Sequence, residues 1–270
     1  MASRKRKPTF VLVIPRFEDI FHSYYASEII RGVSYSASRL NADFLIHIVD
    51  RSSHRGWLDS TLLDKNYIDG IIFADIDNDL KVVKRAIRVG VPCMVLNNVI
   101  DEPINYLAVN NKRAAFNAVE YLIKQGHENI ATIAGDVSTQ AGLMRLEGYR
   151  EAMAKHDLAA ARKLLKLRNR PTAIFVASDV MAMEVIDVAN TLKIKVPKDL
   201  SVIGFDDNPL VASSSVALTT VSQPIAEMGR LGAEALFKVS RGKAVLPVKV
   251  ILPTRLVKRK SVAPINKNKK

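Results

Sequence analysis

Two adjacent carboxylates, Asp206 and Asp207, follow a short apolar run that ends in Gly204 and Phe205. The run 200–204 is apolar apart from Ser201 and has no regular polar alternation, which is typical of a parallel strand buried on both faces. In open α/β sheets, ligands bind at the carboxyl edge, and this run places two carboxylates there. The alternative is an Asp-rich turn that closes the strand and binds nothing.

Polar or aromatic side chains recur at the ends of the other apolar runs. In the first half of the chain these are Arg16, Phe17, Glu18, Asp19, Asp50, Arg51, Asp75, Asn97 and Asn98. In the second half they are Asn110, Asp136, Ser178, Asp179 and Asp206. One polar strand end is ordinary loop chemistry, but so many of them predict a polar cleft between two lobes. Such a cleft binds small polyhydroxylated or charged molecules through many hydrogen bonds.

Strand-like and helix-like stretches alternate along the chain and must position these residues. The apolar runs lie at 10–14, 43–49, 70–73, 93–96, 129–134, 173–176 and 200–204. Amphipathic helical patterns lie between and after them at 27–40, 80–89, 113–124, 143–154, 180–192 and 225–239. This alternation predicts an α/β fold with parallel sheets covered by helices on both faces. A short strand within 104–111 is expected to join two lobes of similar design.

Composition limits the class of protein. With 270 residues, 48% of them hydrophobic, the chain has room for two α/β lobes. The lone Cys93 excludes an internal disulfide and fits a reducing cytoplasm. We expect no secretory signal and no membrane span, because the basic segment 4–7 precedes only a strand-sized apolar run. The net charge of +13 is compatible with a nucleic-acid partner, although solvated basic tails would give the same value.

Many short stretches, taken in order, resemble the effector-binding core of the LacI/GalR family of bacterial transcriptional repressors. They lie at 28–32, 68–72, 121–127, 145–150, 170–175, 178–179, 196–197, 199–207, 218–221, 223–224, 227–229 and 256–260. The resemblance implies the type I periplasmic-binding-protein fold, with two similar doubly wound parallel-sheet lobes joined by three crossovers. It also implies a cytoplasmic homodimer without cofactor or metal, in which a sugar-like effector controls binding to operator DNA.

The resemblance implies boundaries for the lobes. The N-terminal lobe is expected at 10–109 plus 223–250, and the C-terminal lobe at 110–222 plus 251–264. Residues 1–9 would be a basic linker remnant and 265–270 a basic tail. The family's N-terminal helix-turn-helix does not fit into nine residues, so we expect DNA binding by a module not present here. A strand that relatives carry after the position of His156 is also missing.

The resemblance also implies site residues. Arg145 matches the effector-gripping arginine, and Asp206 matches the carboxylate that accepts from sugar hydroxyls. Ser178 stands where the family more often has Asn, Asn97 stands where many relatives have Asp, and Gln223 lies at a crossover. The other candidates for the effector site are Asp75 and Arg51, with Phe17 and Phe205 as stacking residues. Asp179 is expected to cap the helix that begins at Val180 and to be structural.

Two other classes of protein remain as alternatives. A sugar-binding protein of a transporter has the same fold, but it requires export. A Rossmann dehydrogenase requires Gly-x-Gly-x-x-Gly after the first strand, where this chain has Pro15, Arg16, Phe17, Glu18 and Asp19. The sequence contains no serine nucleophile elbow and no metal-ligand spacing. We therefore expect a binding protein and not an enzyme.

Overall fold

The computed structural model describes residues 6–15, 23–49, 66–76, 80–156, 170–212 and 216–265. The chain divides into two compact units. The N-terminal unit contains Met1–Val109 and Pro224–Leu252, and the C-terminal unit contains Asn110–Gln223 and Pro253–Lys270. The chain passes from one unit to the other three times, after Val109, Gln223 and Leu252. The expected architecture of two α/β lobes joined by three crossovers is therefore confirmed.

The N-terminal unit is built on a six-stranded parallel sheet. Its strands are β1 (Thr9–Pro15), β2 (Asp43–Val49), β3 (Gly70–Ala74), β4 (Cys93–Leu96), β5 (Tyr106–Val109) and β10 (Lys249–Leu252). Their spatial order is β10-β5-β4-β3-β1-β2. The helices of this unit are α1 (Tyr24–Arg39), α2 (Lys81–Arg88) and α7 (Ile225–Ser240).

The central strands are apolar at nearly every position because both faces of the sheet are buried. In β1, Val11 and Val13 belong to one apolar cluster, while Phe10, Leu12 and Ile14 belong to another. Successive side chains of a strand point to opposite faces, so the two clusters lie on the two sides of the sheet. This explains why an unbroken apolar run is the correct signal for a strand of a parallel sheet.

The C-terminal unit is built on a five-stranded sheet in the order β11-β9-β8-β7-β6. Its strands are β6 (Ile130–Ile133), β7 (Ala173–Val176), β8 (Ser201–Asp206), β9 (Thr219–Ser222) and β11 (Arg255–Val257). The helices are α3 (Asn111–Lys124), α4 (Gln140–Lys155), α5 (Asp179–Thr191) and α6 (Pro209–Ala212). Strand β11 pairs antiparallel with β9, an exception to the parallel pattern. An antiparallel strand at the edge of a parallel sheet is common in doubly wound folds.

Side-chain caps define the starts of the helices that follow the strands. Asn110 accepts from the backbone N–H of Arg113 at the start of α3. Ser178 caps α5 by accepting from the N–H of Met181 at 3.3 Å. The expectation that Asp179 caps this helix is therefore wrong, because Asp179 is its first residue and its side chain is directed elsewhere. None of the helices within the described ranges is long and apolar enough to cross a lipid bilayer.

Helices α3 and α4 pack at short range because a glycine lies at their contact. A Cβ atom on Gly148 would lie 2.1 Å from the carbonyl oxygen of Lys112. Only a residue without a side chain allows the two backbones to approach this closely. The short separation brings Arg145, one turn earlier on α4, within hydrogen-bond distance of Asn111 at the start of α3.

Candidate functional site

The turn after β8 holds two consecutive aspartates in an unusual backbone conformation. Asp206 ends the strand with φ of 122°, and Asp207 follows with φ of 61°. Side chains disfavour this region, so the surrounding structure must hold the turn in place. Strained backbone of this kind often occurs where a side chain must be presented to a ligand.

The carboxyl group of Asp179 stabilises this turn through hydrogen bonds. Its side chain is fully buried. One carboxyl oxygen accepts from the hydroxyl of Thr220 at 2.6 Å, and the other accepts from the backbone N–H of Asn208 at 2.8 Å. The hydroxyl oxygen of Thr220 also accepts from the N–H of Asp207 at 3.4 Å. Asp179 therefore fixes the backbone that carries Asp206, and its role is structural, as expected.

Gly204 is required by the same arrangement. A Cβ atom at this position would lie 2.2 Å from Oδ1 of Asp179 and 2.8 Å from a methyl carbon of Leu218. The carboxyl group of Asp179 is held by two hydrogen bonds and cannot retreat without losing them. The glycine between the apolar run and the aspartates therefore provides the space in which Asp179 reaches the turn.

We expect Gly204→Ala to lower the free energy of unfolding by about 2–3 kcal/mol, because the methyl group overpacks a buried, hydrogen-bonded site. Urea denaturation followed by circular dichroism measures this change. The double-mutant cycle with Asp179→Ala tests the cause. If the clash with Asp179 is responsible, adding Gly204→Ala to Asp179→Ala costs less than adding it to the wild type. Strictly additive effects would contradict this explanation.

Arg145 is held in a fixed position on α4. Its Nε donates to Oδ1 of Asn111 at 2.9 Å, and its Nη1 donates to the carbonyl oxygen of Ala177 at 2.6 Å. The guanidinium carbon lies 3.7 Å from the ring centroid of Phe205. These contacts fix the plane of the guanidinium group and direct part of its charge toward the protein interior.

Phe205 was predicted as a stacking residue for a ligand, and the structure corrects this prediction. The ring has an exposed fraction of 0% and belongs to the core between the sheet and helices α3 and α4. Successive residues of a strand point to opposite faces, so a core-facing Phe205 leaves Asp206 on the other side. Phe205 therefore supports Arg145 and does not offer a face to a ligand.

The carboxyl group of Asp206 is partly desolvated. Gln223 donates to its Oδ1 from Nε2 at 2.6 Å. Burial raises the pKa of Asp206 to about 6, although the positive charge of Arg145 and the hydrogen bond from Gln223 oppose the rise. Burial also raises the pKa of Asp179 to about 7, and the charges of Asp206 and Asp207 add to this effect. Two neighbouring carboxyl groups with raised pKa values are typical of a functional site.

Gln223 offers an acceptor that no described group satisfies. The residue has an exposed fraction of 6%, and its Oε1 has no hydrogen-bond partner among the described residues. A buried acceptor without a donor costs free energy, which a donor on a bound molecule would offset. Gln223 and Asp206 together form a pair of acceptors at the carboxyl edge of the C-terminal sheet.

The N-terminal unit has a similar polar edge. Asp75 follows β3 with φ of 89°, and Asn97 follows β4 with φ of 67°. With its amide oriented to donate, Asn98 reaches the carboxylate of Asp75 at 3.2 Å. Oδ1 of Asn97 is buried and has no hydrogen-bond partner among the described residues. The structure therefore brings the predicted residues Asp75 and Asn97 together at one sheet edge, with an acceptor available.

The remaining predicted residues differ in their positions. The hydroxyl of Ser178 serves as the cap of α5 and lies at the carboxyl end of β7. Phe17 and Arg51 lie outside the described residues. The buried ring of His127 contacts the hydroxyl of Thr172 at 3.0 Å and the carbonyl oxygen of Ala263 at 3.1 Å, so this residue has a structural role.

Three residues of the site were not predicted from the sequence: Asn111, Thr220 and Asn208. Asn111 follows the N-cap residue Asn110, and in the sequence the two asparagines together indicate only the start of a helix. The hydrogen bond from Arg145 to Asn111 is seen only in the structure. Thr220 stands in a fully buried stretch of β9, where a hydroxyl needs a partner. A threonine in a buried strand could therefore have indicated a hydrogen-bonded residue near the site. Asn208 contributes a backbone N–H, for which its residue type gives no signal.

Comparison with known proteins relates this arrangement to a family. A family model described as periplasmic binding proteins and the sugar binding domain of the LacI family matches residues 8–184. A second model, the periplasmic binding protein-like domain, matches residues 119–262. Together they cover both units and all of the residues that surround Asp206 and Arg145.

Individual relatives agree with these matches. The transcriptional regulator DegA of Bacillus subtilis is 32% identical over 97% of this chain and 83% of its own length. The repressor CytR of Escherichia coli is 32% identical over 90% of this chain and 75% of its own length. The solved structure of the regulator CelR in complex with cellobiose is 28% identical, with a TM-score of 0.84 over 94% of this chain and 85% of that chain. This chain therefore belongs to the LacI family of transcriptional regulators.

Proposed function

We propose that this chain is the effector-sensing part of a LacI-type regulator. Its C-terminal unit binds a small, neutral, polyhydroxylated molecule through Asp206 and Gln223. Binding changes the affinity for operator DNA of a helix-turn-helix module N-terminal to this part, since a ligand shifts an equilibrium by its differential affinity for two states. The chain acts by binding and is not an enzyme.

The acceptor pair of Asp206 and Gln223 carries this proposal. A carboxylate and a buried amide oxygen that has no donor in the described part of the chain favour ligands with hydroxyl hydrogens, and sugars carry such groups on adjacent carbons. Arg145 donates to Asn111 and to a backbone carbonyl, so its charge is not reserved for an anion. The negative charge of Asp206 repels a carboxylate or phosphate group on the ligand.

The relatives support the same class of ligand and the same role. DegA and CytR are helix-turn-helix transcriptional regulators, and CelR forms a complex with cellobiose. In the N-terminal unit, Asp75 and Asn97 offer a separate set of acceptors, which we propose as candidate effector contacts. Ser178, Arg51 and Phe17 remain candidate contacts. We further propose a homodimer, because two half-sites on DNA require two linked DNA-binding modules.

We expect the purified chain to bind at least one neutral sugar from a panel that begins with cellobiose, and to bind glucuronate and glucose 6-phosphate at least tenfold more weakly. Gln223→Leu should weaken the neutral ligand about tenfold or more, because it removes both the acceptor and the donor to Asp206. Isothermal titration calorimetry measures the dissociation constants.

Gln125→Leu is the matched control. Gln125 ends α3 ahead of β6, and therefore lies toward the amino-terminal edge of the sheet. This variant should bind like the wild type. Preferred binding of an anionic sugar, or equal loss of affinity in both variants, would contradict the proposed site.

A further inference from the structure

Helix α3 of the C-terminal unit exposes a row of polar side chains that has a cation at each end, Arg113 and Lys124. Arg113, Asn117 and Lys124 are exposed, and the spacing of three and four residues between 113, 117, 120 and 124 places them on one helix face. At a rise of 1.5 Å per residue, the row from Arg113 to Lys124 extends about 16 Å. The two cations at its ends are therefore far enough apart to contact different phosphates along a nucleic-acid strand.

Aromatic rings flank this row and hold further cations beside it. The ring of Phe116 lies 5.0 Å from the guanidinium carbon of Arg113 and 5.3 Å from Nζ of Lys155. On the other flank, Nζ of Lys258 lies 4.8 Å from the ring centroid of Tyr121. These cation–π contacts reduce the freedom of the long side chains. We call Arg113, Lys124, Lys155 and Lys258 the α3 basic face.

The one carboxylate in the row is already compensated. Oε1 of Glu120 lies 2.5 Å from Nε2 of His156 and 3.3 Å from Nζ of Lys155. Burial raises the pKa of Glu120, but His156 and Lys155 lower it by more, so the group stays ionised and paired. Within the described ranges, no carboxylate lies within ion-pair distance of Arg113, Lys124 or Lys258. The face therefore carries a net positive charge.

We propose that the α3 basic face binds the phosphate backbone of duplex nucleic acid, as a contact additional to that of the helix-turn-helix module. Protein interfaces have cores depleted in charge and rich in exposed apolar anchors. Here Phe116 is buried and Tyr121 lies beside a lysine, so the face offers cations and no exposed apolar anchor. Lysine and arginine side chains in a row are the usual contacts to phosphates, and they act without regard to sequence.

The described part of the chain ends close to α3. The backbone N–H of Ile265 donates to the carbonyl oxygen of Gln125, the residue that ends α3, at 3.0 Å. Beyond Ile265 the sequence continues with Lys267, Lys269 and Lys270. The chain therefore leaves the described region beside the α3 basic face, with three more lysines to follow.

Fluorescence anisotropy with a labelled 20-base-pair duplex of arbitrary sequence tests the proposal on the full 270-residue chain, without sugar. The quadruple variant Arg113→Gln, Lys124→Gln, Lys155→Gln, Lys258→Gln should bind at least about tenfold more weakly at low salt. The slope of log K against log salt should fall by about 0.9 for each contact removed. Because no effector enters the assay, its outcome is independent of the proposed sugar site.

The matched control is Lys81→Gln, Lys84→Gln, Arg85→Gln, Arg88→Gln, which removes the same charge from the exposed face of α2. It should weaken binding less than twofold. Equal losses in the two variants would assign binding to net charge alone and overturn the proposal. Equally tight binding of polyglutamate would overturn it in favour of an acidic protein partner. If the quadruple variant of the α3 basic face does not fold, the double variant Arg113→Gln, Lys258→Gln is compared with the double variant Lys81→Gln, Arg88→Gln. The α3 variant should again lose more affinity for the duplex than its control, and equal losses would again overturn the proposal.

Discussion

Asp206→Asn is expected to stabilise the protein at pH 8 by on the order of 2–3 kcal/mol, while weakening the binding of a neutral sugar. Burial raises the pKa of Asp206 to about 6 from the ordinary 3.8. A carboxyl group with a raised pKa contributes stability fully below about pH 4, and this contribution is lost as the pH rises through 6. A neutral asparagine at this position can still accept the hydrogen bond from Gln223. Because asparagine does not ionise, its contribution to the free energy of unfolding does not fall as the pH rises.

Urea denaturation of both proteins from pH 4 to pH 8 measures this difference. The free energies of unfolding should be similar at pH 4 and should diverge between pH 4 and pH 7, with the wild type becoming the less stable. Asp187→Asn, which removes an exposed carboxylate on α5, is the reference variant. A constant difference across the whole pH range would contradict a raised pKa at Asp206. A gain in stability with a loss of affinity is typical of residues kept for binding.

Arg145→Ala is expected to lower the free energy of unfolding by about 3–5 kcal/mol at pH 8. The substitution leaves Oδ1 of Asn111 and the carbonyl oxygen of Ala177 without their donor. It also uncovers the face of Phe205 and removes the positive charge that favours ionised Asp206. Because a protonated Asp206 does not need that charge, the loss should be smaller at pH 5 than at pH 8.

The double variant Arg145→Ala, Asp206→Asn separates the two contributions. Part of the loss at pH 8 should be recovered in the double variant, since the uncompensated carboxylate is gone. Arg150→Ala, an exposed residue of the same helix paired with Glu147, should cost less than about 1 kcal/mol. Equal losses at Arg145 and Arg150, or a loss at Arg145 that does not depend on pH, would show that the charge of Asp206 plays no part.

The order of most strands and helices was predictable from the sequence because it is encoded locally, whereas the short strands β9, β10 and β11 lie outside the apolar runs identified there. Unbroken apolar runs gave β4 and β7 with their observed bounds, whereas β2 was recognised although Asp43 and His47 interrupt its apolar run and most of the strand is exposed. A strand buried on both faces needs apolar residues at every position, whatever lies next to it. The position of Asp206 at a carboxyl edge followed from the same pattern, and the family resemblance added Arg145 and Gln223 as residues to examine.

The partners of these residues were decided only by the tertiary structure. Asp179 and Thr220 are 41 residues apart in sequence, and Arg145 and Ala177 are 32 apart. Whether Ser178 or Asp179 caps α5 depended on a buried threonine two strands away, which provides a better partner for the carboxyl group. The sequence predicts that Phe205 stacks on a ligand, but the alternation of side chains along β8 places its ring in the core, against the guanidinium group of Arg145. Periodicity and capping patterns report on neighbours along the chain, whereas hydrogen bonds, charge pairing and desolvation depend on neighbours in space, and these determine the chemistry of the site.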